Sequence, residues 1–396
     1  MTFLIVTMDQ FPSGDAGSVR KLSFSKALKE LGHEVIVISQ ADTTPFIIHS
    51  HQGIKYISLK TPSKKYIKRV MNYFGHRRRL IKAIKKISET NQIDAIWITQ
   101  LPTDSLFYLK HYARKKNIKL FYDSVEWFSP QNFKWGYFSF FYLINEAWNR
   151  ILIDKQFSVI SISSFLNEHF KARKIQSIRI PVILDTREIA FKIRPNSDKL
   201  IILYAGSPAK KDYLKEVVEG MALLTSDELK RIELRLIGVS LDQLINQCGV
   251  NPYYITKCQN SLQTFGRIAR EDVITHLQSA DFTVLMRSPV LRYAKAGFPT
   301  KVAESLATAT PVICNLTSDL ALYLKDGVNS IIVKSNTAQS FVIALRKALA
   351  LSQTDKKLMY QKARQTAEEY FDYKVYVKQL EPFLINKKSL KAGSLI

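Results

Sequence analysis

Apolar residues fall along this chain in two rhythms. Residues 3–7 form a largely apolar run, a polar loop with glycines follows, and 18–31 return apolar positions at helical spacing until Gly32, after which 34–39 are apolar again. A run, a loop, an amphipathic stretch and a second run predict a βαβ unit. Further runs at 95–99, 119–122 and 158–161 extend the series, with helical stretches between them. Strands that are apolar throughout are covered on both faces, so the first half is expected to be a parallel sheet between helical layers.

The pattern restarts once. Residues 181–195 are mixed and loop-like, and a new strand at 199–205 opens a second series continued by runs at 233–237, 262–265, 282–286, 311–314 and 330–333. The fold class expected is α/β, with two Rossmann-like domains over 1–190 and 191–367. The helical stretch at 355–384 leads into 368–396, which is expected to cross back and complete the first domain. Two doubly wound domains with parallel sheets facing a central cleft put their ligand loops along that cleft, at the carboxyl ends of the strands.

Composition adds constraints. A chain of 396 residues exceeds the roughly 250–300 residues at which single cores stop growing, which agrees with two domains. Hydrophobic residues at 46% and charged residues at 23% are those of a folded globular protein. Cys248, Cys258 and Cys314 are odd in number and lack metal-ligand spacing, so neither a disulfide framework nor a zinc site is expected, and a reducing cytosol fits. The start of the chain lacks a basic leader and meets Asp9 too early for a signal peptide, and its longest uncharged apolar-aromatic stretch, 137–144, is far short of the roughly 20 residues that span a bilayer.

The formal net charge of +24 favours an anionic partner. Between Lys60 and Gln92 stand eleven basic residues, among them Arg77, Arg78, Arg79, Lys82, Lys85 and Lys86, against one acid, Glu89. Tyr66, Ile67, Val70, Met71, Tyr73, Phe74, Leu80, Ile81, Ile84 and Ile87 interleave with them. A basic amphipathic helix of this kind suits anionic lipid; equally, its apolar stripe can pack on its own domain. No nucleic-acid-binding signature accompanies it, and no nucleic-acid partner is expected.

Three loops carry candidate chemistry. After the first strand comes Phe11-Pro12-Ser13-Gly14-Asp15-Ala16-Gly17-Ser18, where glycines such as Gly17 let backbone amides approach a phosphate at a helix start; a plain tight turn uses the same residues. The second domain repeats the arrangement at Tyr204-Ala205-Gly206-Ser207-Pro208-Ala209-Lys210-Lys211-Asp212, with small residues for close approach and lysines for charge. The third runs from Arg287 through Gly297-Phe298-Pro299-Thr300-Lys301-Val302-Ala303-Glu304-Ser305-Leu306-Ala307 to Pro311-Val312-Ile313.

That last segment resembles the donor-site signature of the large retaining glycosyltransferase family 4, the glycosyl transferases group 1 type, whose members share the two-domain GT-B fold. Phe265-Gly266-Arg267, Ser279-Ala280-Asp281-Phe282 and Asp326-Gly327-Val328-Asn329 resemble the flanking pieces, so the likeness covers most of 200–335, and Gly32-His33-Glu34-Val35 is similar to the family's opening unit. The resemblance implies that Glu304 accepts hydrogen bonds from a ribose diol, that Gly297, Phe298, Pro299 and Thr300 offer loop amides, and that Lys301 and Lys211 add charge for a diphosphate. Cations that stabilise the departing phosphate lower the barrier, so neither a metal nor a cofactor is expected, the nucleotide-sugar being a co-substrate.

The chain departs from the family pattern at three places. Ala296 stands where a Glu contacts the donated sugar, Ser207 where many members place Arg, leaving Lys211 and Arg287 or Arg292 for the phosphates, and Val125 where an active-site His is common. Asp123 and Glu126 in Tyr122-Asp123-Ser124-Val125-Glu126-Trp127 are the candidate catalytic residues, each with a structural carboxylate as its alternative. The aromatics that follow, from Trp127 to Tyr142, either pack as core or meet lipid or glycan.

The function expected is transfer, with retention, of a sugar from a nucleotide-sugar to a lipid-linked or growing polysaccharide acceptor in bacterial surface glycan synthesis. The place expected is the cytoplasm, peripheral at the inner face of the plasma membrane. The alternatives are a non-catalytic sugar-nucleotide-binding partner of another transferase, a GT-B nucleotide-sugar epimerase, and a scaffold that binds anionic partners.

Overall fold

A computed structural model describes residues 1–14, 16–40, 43–59, 73, 75–192, 194, 197–207 and 211–385. The chain divides into two compact units, 1–184 with 372–396 and 185–371. A parallel bridge between Leu184 and Asp372 closes the first unit at the point where the chain leaves and re-enters it.

The first unit is built on β1 (Thr2–Val6), β2 (Glu34–Ser39), β3 (Ile48–His51), β4 (Ile54–Ser58), β5 (Ala95–Ile98), β6 (Lys119–Ser124), β7 (Phe157–Ser161) and β8 (Ser177–Arg179), in the order β3-β4-β2-β1-β5-β6-β7-β8. All neighbours are parallel except β3 and β4. The expectation of a wholly parallel sheet is therefore corrected at one edge. Gln52 and Gly53 both have positive φ (50° and 71°), and two such residues make the tight turn that only antiparallel neighbours can share. Phe3, Ile5, Phe24, Trp97 and Phe121 lie at the centre of the core, and Phe383 and Leu384 from the returning helix Val377–Ile385 pack into it.

The second unit holds β9 (Leu200–Ala205), β10 (Ile232–Ile237), β11 (Leu262–Gly266), β12 (Phe282–Leu285), β13 (Val312–Cys314) and β14 (Ser330–Ile332), all parallel, in the order β11-β10-β9-β12-β13-β14. Along β9 the strand period of two sends Leu200, Ile202 and Tyr204 into one core and Ile201 and Leu203 into the other, which is why the strand reads as continuously apolar. Two of the flanking sequence pieces do structural work. Asp281 accepts the Ile201 N–H at 2.8 Å and the Tyr360 hydroxyl at 2.5 Å, tying helix Gln353–Tyr370 to the sheet. Asp326 accepts the Ile332 N–H at 2.9 Å and pairs with Lys347.

Candidate functional site

The second sheet reverses direction between β9 and β12, because the chain steps outward from β9 to β11 and then returns to lay β12 on the other side of β9. Such a switch point opens a crevice at the carboxyl ends of the two central strands. Gly206 and Ser207 follow β9, Arg287 follows β12, and Lys301 comes from the first turn of helix Thr300–Ala307. Residues 208–210 of the lysine loop, including Lys210, lie outside the described residues.

Asp212, the last residue of the lysine loop and one to which its sequence assigned no role, is the hub of this place. Its Oδ1 accepts Arg287 Nε at 2.7 Å, and its Oδ2 accepts Lys301 Nζ at 2.6 Å and the Tyr204 hydroxyl at 2.8 Å. Lys301 Nζ also donates to Tyr204 Oη at 2.9 Å and lies 4.1 Å from the centroid of that ring. Burial of Asp212 resists its ionisation, but Lys301 and Arg287 outweigh it and hold the carboxyl well below the usual carboxylate range. Burial, aided by the charge of Asp212, pushes the Tyr204 phenol far up. One carboxylate against two cations leaves the cluster net positive, as a site for a diphosphate requires.

The backbone here is packed closely. A Cβ at Gly206, where φ is 153°, would collide with Nζ and Cε of Lys301, and one at Gly238, where φ is 81°, would lie 2.6 Å from the Gly206 carbonyl oxygen. Gly206→Ala therefore imposes an unfavourable φ and displaces the Lys301 amine. We expect it to cost about 1–3 kcal/mol, read as a lower denaturation midpoint; an unchanged midpoint would show that the loop relaxes freely. Asn315, just past β13, fixes Arg287 by accepting its N–H at 2.9 Å and donating to its carbonyl at 2.7 Å. The signal for Asn315 was an amide at the end of an apolar strand; the signals for Asp212 and Tyr204 were absent, since their partners are up to 97 residues away in sequence.

Glu304 stands one turn into its helix, with Oε1 accepting Arg270 Nη2 at 2.8 Å. A carboxylate has about four acceptor positions, so this bond leaves room for hydroxyl donors. Of the loop amides, the Gly297 N–H is taken by the Tyr293 carbonyl at 3.0 Å, and Pro299 has none to give. The N–H groups of Thr300 and Lys301 open the helix, where no intrahelical acceptor exists. The Phe298 ring is buried against Tyr323 and Phe371, and Ala296 is fully buried. Lys211 lies with Nζ 5.6 Å from the Tyr293 ring centroid, while its carbonyl accepts the Tyr293 hydroxyl at 2.9 Å.

In the first unit the switch point falls between β1 and β5, and the loop carrying Gly14 and Gly17 follows β1. Gly17 sits against the Asp9 carboxylate. The two catalytic candidates are not in one environment. Glu126 is exposed, whereas Asp123 is buried, bonded by Arg20 Nη2 at 2.9 Å and Lys21 Nζ at 3.0 Å. Burial opposes its charge, but Arg20 and Lys21 hold its pKa below the ordinary value. Arg20 also donates to the carbonyls of Pro181 and Ile180. This is the structural arrangement left open for Asp123, made by two cations that a helical sequence presents like any solvated pair.

Helix His76–Ser88 buries Leu80, Ala83, Ile84 and Ile87 within the unit and leaves Arg77, Arg78, Lys82, Lys85 and Lys86 exposed, with Arg79 half-buried. Its apolar stripe is thus spent on its own domain. The rest of the basic segment, Lys60 to Val70 with Met71, Asn72 and Phe74, lies outside the described residues. The core reading of the aromatic stretch holds for Trp127 and Tyr142 but is corrected for Trp135, Tyr137, Phe138, Phe140 and Phe141, which are exposed. No described helix is long and apolar enough to cross a membrane.

Residues 185–366 match the family described as glycosyl transferases group 1. No curated protein matches the sequence. Among solved structures, the chain is similar to a sucrose-phosphate synthase from Thermosynechococcus elongatus at 15% identity and a TM-score of 0.75, covering 97% of this chain and 98% of that one. It is also similar to HepE of Anabaena solved with UDP and glucose, at 13% identity and a TM-score of 0.68 over 97% and 99% of the chains. A third likeness is to WaaG, a glycosyltransferase involved in lipopolysaccharide biosynthesis, at 14% identity and a TM-score of 0.68 over 97% and 100%. The chain therefore has the GT-B fold of these glycosyltransferases, and its residues 185–366 match the glycosyl transferases group 1 domain.

Proposed function

We propose that the chain transfers a sugar from a nucleotide-sugar, bound at the second unit's switch point, to a lipid-linked or growing polysaccharide acceptor in bacterial surface glycan synthesis. The observation that carries this is the placing of Lys301 and Glu304 three residues apart on one helix. One is anchored beside Gly206 and Arg287, and the other retains acceptor capacity for a ribose. In this reading Arg287, Lys301 and Lys211, with the amides of Thr300 and Lys301, meet the charge that develops on the nucleoside diphosphate as its bond to the anomeric carbon breaks. The acceptor oxygen bonds to that carbon on the same face, its proton passes to the leaving phosphate, and configuration is retained, with no metal required. The cationic surface at residues 77–86 supports work at the inner, anionic face of a membrane.

A thermal-shift screen against UDP-, GDP-, ADP- and CMP-sugars tests the donor site. UDP-sugars head it because HepE is solved with UDP and glucose. A selective shift is expected in the parent and should weaken by about 10–100-fold in affinity for Glu304→Ala, the loss of a charged hydrogen-bond acceptor. An equal shift in both proteins would remove Glu304 from the donor site.

A further inference from the structure

The basic helix cannot supply both parts of a membrane contact, since its apolar stripe is buried in the protein and it turns only charge outward, with Lys82 and Lys86 resting on Phe46 and Arg77, Arg78 and Lys85 exposed beside them. The apolar part lies next to it. In and around the short helices Gly136–Phe138 and Phe140–Ala147, Phe138 is 88% exposed, Tyr137 66% and Trp135 63%, and Phe140, Phe141 and Leu143 are also exposed. Soluble proteins seldom leave so many large side chains of one segment in water without a use for them.

Ring contacts join this segment to the residue that leads into the basic helix. Tyr73, three residues ahead of that helix, lies 6.1 Å from Phe140 and 6.4 Å from Phe141, and its hydroxyl is 3.4 Å from the Thr103 N–H. Tyr137 contacts Tyr142, whose own ring is buried and meets Phe133. The surface is thus held from beneath. The eight residues of helix Phe140–Ala147 are far too few to span a bilayer, but Trp, Tyr and Phe on a short helix suit the boundary between headgroups and acyl chains.

We propose that residues 135–143 are the part of this chain that enters an anionic bilayer, and that the charged face of helix His76–Ser88 attracts and holds the membrane beside them. The inference rests on the reading above that the protein works at a membrane surface. The charge argues for a bilayer over a second copy of the chain, because a copy would bring another +24 against the same basic helix.

The test uses the full chain with vesicles of phosphatidylcholine alone or mixed with phosphatidylglycerol. Trp97, Trp127 and Trp148 are buried, so a blue shift of tryptophan emission on binding reports Trp135 and should vanish in Trp135→Phe while binding persists. Phe138→Ser with Phe140→Ser should still adsorb at low salt but lose about tenfold or more of the binding that survives about 0.5 M NaCl, where charges are screened within a few ångström. Arg77→Gln, Arg78→Gln and Lys85→Gln together should lose low-salt capture instead. Unchanged melting of the aromatic variant checks its fold. If that variant partitions like the parent at both salts while the charge variant fails, insertion is overturned and the membrane reading stands. If the parent ignores anionic vesicles, both fall. A dimer in sedimentation that Phe138→Ser breaks would assign the surface to a second copy.

Discussion

Asp212→Ala should destabilise the second unit by about 3–5 kcal/mol, the range for removing one member of a buried ion cluster. The loss comes less from the bonds of Asp212 to Arg287 and Lys301 than from the two cations left without compensation near a core tyrosine. Calorimetry on the full chain should show the shift in the transition of the second unit, since two units need not unfold together. The effect has a defined pH dependence. The folded pKa of Asp212 lies below its unfolded value of about 4, so its contribution is fully present above that pH and is lost as pH falls through the folded pKa. The difference between parent and variant should therefore narrow under acid, and a difference constant down to about pH 3 would show that charge is not its source.

A comparable loss, again about 3–5 kcal/mol, is expected in the first unit for Asp123→Ala. Arg20 and Lys21 would keep their buried positions on helix Ala16–Glu30 and lose their shared carboxylate. The sign with pH is the same, because the pKa of Asp123 is also depressed. Adding Lys21→Met to Asp123→Ala should recover part of the stability, since an apolar side chain of similar length removes a buried charge left with only the more distant Asp9 carboxylate, at 3.6 Å. This experiment also decides the role of Asp123. Loss of transfer with melting unchanged would make it a catalytic group; loss of melting temperature, partly recovered in the double variant, identifies it as the post on which Arg20 holds the carbonyls of Ile180 and Pro181.

Glu126 and Asp123 were indistinguishable as letters three residues apart. Strand geometry separates them: Asp123 lies in β6, covered on both faces, and Glu126 falls beyond the end of the strand in exposed chain. Helix His76–Ser88 offers a second case. Its periodicity announced an amphipathic helix, but periodicity says only that one face is apolar, not what covers it. That the cover is the protein's own core transferred the question of lipid contact to Trp135 and Phe138, whose letters allow core and lipid contact alike.

By itself the sequence determined the α/β class, the restart of the pattern near residue 199 and the family likeness around Glu304, because unbroken apolar runs and local motifs are set by neighbours a few residues apart. Tertiary structure alone decided which charges are paired. The charged partners of Asp212 stand 75 and 89 residues away and those of Asp123 more than 100, and strand order, not chain distance, brought them together at the carboxyl ends of their sheets. It likewise decided which aromatics stay in water, since burial depends on how many other elements arrive to cover a face.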